Sequence, residues 1–308
     1  MPPSSPQTTR IAVTGGRGRL ATLLTDHFRA PAHNVELFSS HVALFSRAGG
    51  HGFHHLNDLP AALPTVDVVL HLAWSTLPAT SETGRGSEWQ HDLPALENLL
   101  QAVAALPAAK RPHFVFFSTG GAVYGDAPGR PNIETDTCRP IGWYGKAKRA
   151  AEELIERYVA QHGLPCTILR ISNPYGYPVP KSRMQGIIPH AVRCAVEGQP
   201  LTLWGDGHAR KDFIYHTDFL AGLEQVIAQR LTGTYNLGAG ESHTVREVIA
   251  LVEEHTERKI TLAFQPAAPW DVQDSRLDIQ RLVTATGWRP QVSLDEGIRR
   301  SAAGYAGH

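Results

Sequence analysis

The sequence predicts an α/β protein, a doubly wound parallel sheet followed by a smaller C-terminal substrate-binding domain, on three observations. Through the first half, short apolar runs alternate with amphipathic stretches, the pattern that buries a parallel sheet between two helical layers. A glycine-rich turn, Gly15-Gly16-Arg17-Gly18, separates the first apolar run from the first amphipathic stretch. From Asn173 onward the texture changes, as Pro174, Pro178, Pro180, Pro189 and Pro200 break the chain into irregular segments.

The elements follow in order. Residues 10–14 form the first strand and 20–28 the first helix, with a second strand at 34–38 and a further short strand or loop at 41–45. Residues 67–73 are a continuous apolar run behind a turn signal, as expected of a strand covered on both faces. Helical periodicity over 92–105 precedes a strand at 113–118, a long helix at 142–161 and a strand at 166–171. These are successive βα units joined by right-handed crossovers. Later, 218–229 reads as a helix, and 213–216 and 234–237 read as strands able to rejoin the main sheet. The expected domains are 9–173, with 212–240 returning to it, and a second assembled from 174–211 and 241–305.

Bulk properties bound the function. A chain of 308 residues, 42% hydrophobic, can bury a substantial core. Lys and Arg number 29 and so do Asp and Glu, so no global field draws the protein to nucleic acid or to an anionic membrane, and phosphate binding must be local. Cys138, Cys166 and Cys194 show no metal or redox spacing and read as packing residues of a reducing compartment. His51, His54 and His55 lack carboxylate or thiol support, so no metal site is expected. The Pro/Ser-rich start has no cationic head or apolar run, and no stretch reaches the ~18 apolar residues of a membrane span. A cytoplasmic location is the expectation.

Gly16-x-Gly18-x-x-Ala21 between strand and helix gives a dinucleotide-binding turn its proper context. Glycine lets the backbone approach a pyrophosphate, Ala21 lets the helix pack on the strand, and the helix N-terminus faces the phosphates. The acid expected about 20 residues on, for the adenosine ribose, is missing. Phe38-Ser39-Ser40 stand there, and Glu36 falls inside the strand as a solvated or paired residue. Arg17 and Arg47 are placed to receive a 2′-phosphate, which favours NADP(H) over NAD. Asp58 either accepts from the adenine amino group or caps a turn.

Tyr144 and Lys148 are related as i and i+4, so they leave one face of a helix, while Lys146 points elsewhere. An ammonium near a phenol favours the phenolate, and such a tyrosine can exchange a proton with a substrate hydroxyl while hydride moves to or from a nicotinamide.

With these residues in view the chain resembles the extended short-chain dehydrogenases/reductases, specifically the nucleotide-sugar epimerase/dehydratase family, in which the sheet is Rossmann-type. The likeness runs through Thr14 to Ala21, Asp67 to Ala73, Ser118 to Gly125, Tyr144 to Lys148, Arg170 to Gly176, Trp204 to Gly207, Lys211 to Ile214, Asn236 to Gly238 and Gly287 to Pro290. It implies a cofactor site of Gly15, Gly16, Arg17, Gly18, Arg19, Leu20, Ser39, Asp58, Leu59, Leu72 and Ala73, together with Tyr144 and Lys148. Tyr144 would be the acid/base, and Lys148 would bind the nicotinamide ribose. On the substrate side the resemblance implies Gly120, Asn173, Gln185 and Lys211.

The sequence departs from the family at several of these positions. The family's catalytic Ser or Thr falls on Gly120, leaving Ser118 or Thr119 to supply the hydroxyl. The arginine expected at 211 is Lys211, and Ala268-Pro269-Trp270 replace a late arginine, for which Arg276 is the nearest substitute. Trp74 stands where a small residue is usual and either narrows the substrate side or packs.

Three functions are carried forward: an NDP-hexose C4 epimerase working through a transient 4-keto sugar, an NADPH-dependent reductase of an NDP-4-keto-6-deoxy sugar, and a non-catalytic dinucleotide-binding regulator. A dehydratase is disfavoured because Gly120-Gly121 occupy the place of the Asp-Glu pair used for water elimination. The resemblance also implies a homodimer.

Overall fold

A computed structural model describes residues 9–28, 33–39, 53–127, 129–178 and 185–306. Its first elements are β1 (Thr9–Thr14), α1 (Arg19–His27), β2 (His33–Ser39), β3 (Phe53–His55), α2 (Leu59–Ala62), β4 (Val68–His71), α3 (Pro78–Thr83), α4 (Ser87–Gln90), α5 (Asp92–Ala105), β5 (His113–Thr119) and α6 (Trp143–His162). There follow β6 (Cys166–Ile171), β7 (Asn173–Tyr175), α7 (Ile187–Glu197), β8 (Leu201–Trp204), β9 (Arg210–Lys211), β10 (Phe213–Tyr215), α8 (His216–Ala228) and β11 (Gly233–Leu237). The chain closes with β12 (His243–Thr244), α9 (Val245–Thr256), β13 (Leu262–Gln265), α10 (Gln280–Thr286) and α11 (Leu294–Ala306). Two compact units divide it: Met1–Ser118, Ala147–Leu169 and Val226–Thr234 form one, and Thr119–Lys146, Arg170–Gln225 and Tyr235–His308 the other.

The first unit is built on a Rossmann-type sheet of order β11-β6-β5-β4-β1-β2-β3. Its ladders β5-β4, β4-β1, β1-β2 and β2-β3 are parallel, with Ile11 opposite both Val35 and Val68. The unbroken apolar texture of residues 68–71 has the cause the sequence suggested: every residue of β4 is buried. Leu96, Leu100 and Val103 of α5 and Ala151 and Ile155 of α6 pack with Phe114 and Phe116 of β5 into one core. Each such large side chain stabilises by roughly 1.5–3 kcal/mol relative to exposure. The strand order reverses between β1 and β4, and the crevice outside their carboxyl ends is where a doubly wound sheet binds its ligand.

The remaining differences from expectation concern small elements. The strand or loop expected at 41–45 lies outside the described residues, and the outer partner of β2 is β3, joined through Leu37 and Phe53, too short to announce itself in sequence. Of the two late strands, β11 joins the main sheet, whereas β10 pairs in parallel with β7 in a separate ladder. Pro174 in the middle of β7 has no N–H to donate, which suits a short two-stranded ladder better than a sheet interior.

The second unit has its own core, in which Ile188 and Val192 of α7, Val248 and Val252 of α9 and Ile298 of α11 surround Leu201 and Leu203 of β8. A capping box starts α9: Thr244 Oγ1 accepts the Glu247 N–H at 3.1 Å, and Glu247 Oε2 accepts the Thr244 N–H at 2.6 Å. Among the described residues no helix is long and apolar enough to cross a membrane.

Candidate active site

The glycine turn is shaped for close approach. Gly15 takes φ +69°, and a Cβ there would lie 2.8 Å from the Ala73 nitrogen, so no side chain fits. Gly16 donates its N–H to Phe38 O at 3.1 Å, and Gly18 donates to Gly15 O at 2.7 Å. Helix α1 opens on Gly18 with no side-chain cap, the kind of helix start that can receive an anion at the N–H groups of its first turn. Ala21 is fully buried, as the packing argument required.

The carboxyl ends of β1 and β4 are tied by a hydroxyl. Thr14 Oγ1 lies 2.9 Å from His71 Nδ1 and accepts the Ala73 N–H at 3.2 Å. Burial, helped by the Lys148 charge, pushes His71 down to about 3, so the imidazole is neutral and its tautomer sets which of Nδ1 and the Thr14 hydroxyl donates. Beyond this tie opens a cavity of about 430 Å³, lined by Gly15, Ser39, Leu59 and Ala73 and also by Leu56, Asn57, Trp74, Ser75, His91 and Asp92.

Several expectations about the adenosine end now have positions. Glu36 pairs with Arg10 at 3.7 Å, so it is an ion-paired strand residue. Asp58 Oδ2 accepts the His55 N–H at 3.2 Å in a capping box. Ser40, Arg47 and His51 lie outside the described residues. A dinucleotide suits this crevice, because the positive-φ glycine and the uncapped helix start answer the needs of a pyrophosphate and the cavity those of an adenosine.

Lys148 is 4% exposed. Its ammonium donates to Phe117 O at 3.0 Å and sits over the Trp74 ring, 3.9 Å from the centroid, and over Phe116 at 4.8 Å. Burial brings it down to about 7 while Asp92 and Glu152 oppose the fall. Of the two readings of Trp74, packing is the one with visible contacts: its indole meets Phe116 edge to face at 6.2 Å and carries the lysine charge.

Tyr144 lies one turn before Lys148 on the same helix and is half-buried. Gly145 explains how this end of the helix comes so close to the turn after β5, since a Cβ at Gly145 would lie 2.6 Å from Ala122 O and 3.0 Å from Pro140 Cβ. The turn itself is unusual. Gly120 N–H donates to Ile171 O at 2.7 Å, and the space of a side chain at 120 is filled by Leu277. Ser118 is committed elsewhere, its hydroxyl donating to the buried Glu152 Oε1 at 2.5 Å. Two hydroxyls remain beside the bare backbone: Thr119 Oγ1 and Ser275 Oγ each lie 3.8 Å from where a Cβ on Gly121 would sit. Ser275 is buried and its hydroxyl has no partner.

On the substrate side, Asn173 donates from Nδ2 to Asp212 O at 2.8 Å and is exposed, and exposed Gln185 precedes α7. Lys211 pairs with Asp271 Oδ1 at 2.8 Å and also donates to Val272 O. Arg276 is paired with Asp274 at 2.7 Å, and Arg210 donates to Ser242 Oγ at 3.2 Å. Among the described residues no group of three His, Cys, Asp or Glu could hold a metal ion.

Sequence reasoning missed Asp92, Glu152, Ser275 and Leu277. Asp92 is legible as an acid opening a helix, but nothing in the sequence shows its carboxylate reaching back to Ser75. The others act across long separations that carry no local signal.

Comparison with known proteins agrees with this geometry. Residues 11–238 match the model of the NAD dependent epimerase/dehydratase family. The chain is 32% identical over 252 residues to the uncharacterized UDP-glucose epimerase YtcB of Bacillus subtilis (strain 168), covering 80% of this chain and 76% of that one. It is 28% identical to UDP-glucuronic acid decarboxylase 1 of Danio rerio, covering 95% of this chain and 71% of the relative. In structure it is similar to the UDP-glucose 4-epimerase of Thermus thermophilus in complex with NAD, with 29% identity, a TM-score of 0.85, and 97% and 99% of the two chains covered.

Proposed function

The chain belongs to the NAD dependent epimerase/dehydratase family, and from that premise we propose that it is an NAD-dependent C4 epimerase of a UDP-hexose. The observation that carries this reading is the pairing on α6 of half-buried Tyr144 with a buried Lys148, beside a turn that holds no second acid. Bound NAD supplies a hydride acceptor and donor.

Tyr144 takes the proton of the sugar 4-hydroxyl as that carbon is oxidised, and returns it once the 4-keto sugar has turned its other face. Lys148 holds positive charge one helical turn from the phenol, which favours the phenolate and gives the cofactor ribose a donor. Gly120, Gly121 and Ala122 present no carboxylate, so this turn does not carry the acid pair used to expel water, which favours oxidation and reduction at one carbon. Thr119 and Ser275, whose hydroxyls each lie 3.8 Å from the Cβ position of Gly121, are assigned to orient the sugar oxygen. On the substrate face, Asn173, Gln185 and Lys211 are assigned to the nucleotide diphosphate.

The cofactor is assigned as NAD and not the NADP(H) that Arg17 and Arg47 suggest. The matched family model is of NAD dependent enzymes, and the Thermus neighbour was solved with NAD. The relative named as a decarboxylase makes loss of carbon dioxide from a UDP-uronic acid the second reading.

The test is direct. Purified protein is incubated with UDP-glucose, and separately with UDP-glucuronic acid, and the products are resolved by chromatography and mass. Epimer formation at constant mass supports the proposal. A product lighter by carbon dioxide supports the second reading, and absence of both with NAD bound sinks both. Mass identification of nucleotide released on denaturation fixes the cofactor.

A further inference from the structure

We infer that Asp92 is a positioning residue for Lys148, acting through Ser75 and the indole of Trp74 as well as through its own negative charge. The inference rests on the reading of Lys148 as the lysine of the redox site.

The geometry is a chain of contacts within one unit. Asp92 opens α5, and its carboxylate accepts from Ser75 twice, from the backbone N–H at 2.9 Å and from the hydroxyl at 2.5 Å. A bidentate clamp of this kind fixes the backbone where β4 gives way to its following loop. Trp74 is the next residue back, and its ring carries the Lys148 ammonium at 3.9 Å. The constraints on the lysine thus include the Phe117 carbonyl, the Trp74 and Phe116 rings, and a carboxylate that anchors the residue beside Trp74. Trp74, Ser75 and Asp92 all line the cavity that suits the dinucleotide, so the device stands at the cofactor side of the lysine.

Charge gives the arrangement its consequence. A buried ammonium is strongly disfavoured unless anions or π-faces lie near it. Among the described residues, three titratable groups bear electrostatically on Lys148 from the elements around it. Asp92 comes from α5, Glu152 from its own helix and His71 from β4. His71 is neutral, and Glu152 is shared with Ser118 and with Arg149, whose guanidinium lies 2.9 Å from it. Asp92 is partly buried, which raises its own pKa, and the Ser75 bonds pull the other way toward the carboxylate. Ser75 therefore helps keep Asp92 charged, and charged Asp92 helps keep Lys148 protonated. An asparagine at 92 would retain both Ser75 contacts, its carbonyl accepting from the N–H and its amide donating to the hydroxyl, and would lose only the charge.

The experiment reads Lys148 itself. The protein is labelled with 15N-lysine, the Nζ signal is assigned by its loss in Lys148→Arg, and the signal is titrated in the parent and three variants. The midpoint is expected to fall by about one pH unit in Asp92→Asn, the size of effect a nearby opposite charge has. It is expected to return toward the parent value in Asp92→Glu and to fall again in Trp74→Leu, which removes the π-face. An unmoved midpoint in Asp92→Asn overturns the inference, because a residue that merely caps Ser75 would leave the titration alone. A shift in Asp92→Asn with none in Trp74→Leu overturns the part given to the indole. No sugar turnover is measured here, so a protein that passes this titration and fails the UDP-hexose assay overturns only the proposed function.

Discussion

Leu277 occupies the space that any side chain at Gly120 would need: a Cβ built on Gly120 lies 2.5 Å from Leu277 Cδ1 and 2.8 Å from Cδ2. The family's hydroxyl is thus not simply missing at position 120, because an apolar side chain from far along the chain has taken its place. Leu277 is held there by a bridge to Asn132 and is 1% exposed.

The expected outcome is that Gly120→Ser alone destabilises by roughly 1–3 kcal/mol, the usual effect of overpacking. Leu277→Ala alone costs roughly 2–5 kcal/mol through the cavity it leaves. Combined, the two should cost clearly less than their sum, since each fills or relieves the defect of the other. Urea unfolding of all four proteins measures the coupling, and strict additivity would show that the two positions do not compete for space. The double variant should also turn over faster than Leu277→Ala, having regained a hydroxyl on the turn near Tyr144.

Replacing Tyr144 by Phe removes the proton carrier and little else, because the half-buried ring keeps its packing. Turnover should fall by about 10²–10⁴-fold, the range of a lost general acid/base. Cofactor affinity, read by calorimetry with NAD, should stay within error of the parent. Retention of most activity would remove Tyr144 from the chemistry, whereas absence of turnover in the parent as well as the variant, with NAD still bound, would reopen the reading of the chain as a non-catalytic dinucleotide-binding regulator.

Gly15→Ala tests the turn. Alanine at φ +69° carries roughly 1–2 kcal/mol of backbone strain. Its methyl would also meet Ala73 N at 2.8 Å, forcing apart the ends of β1 and β4. Thermal stability should drop, and NAD should bind at least about tenfold more weakly for each 1.4 kcal/mol of strain that falls on the bound state. Unchanged NAD affinity in a folded variant would place the pyrophosphate away from this turn.

How much of this was legible follows from the range of the interactions. The strands and helices of the first unit carry strong periodicity, and α5 begins and ends at the residues the pattern indicates, Asp92 and Ala105. Tyr144 and Lys148 are one helical turn apart, and a local rule finds them. Gly120 was visible as a departure, but Leu277 was not, because their separation of more than 150 positions leaves no trace in a window of sequence. Glu152 is similar: its burial and its bond to Ser118 depend on α6 lying against β5. The lysine's seat on Trp74 is likewise a product of packing, so the sequence left the tryptophan with two readings.

Asp212 gives a pH prediction independent of catalysis. Its side chain is fully buried, Oδ1 accepting the Ala239 N–H at 2.8 Å and Oδ2 the Gly240 N–H at 3.2 Å. Burial outweighs these bonds and pushes its pKa up to about 6. Its unfolded value is about 3.9, so between those pH values the folded chain holds a proton that the unfolded chain has released. The group's stabilising contribution is therefore full below about pH 4 and lost as pH rises through about 6. Asp212→Asn resembles the protonated form, so its stability should lack this dependence, though it forfeits one of the two backbone acceptors. The penalty of the substitution, measured by urea unfolding, should shrink by an amount on the order of 2 kcal/mol between about pH 4.5 and pH 7. A penalty that stays constant or grows across that interval would mean that Asp212 is already ionised at the lower pH and that the two backbone N–H groups dominate its burial.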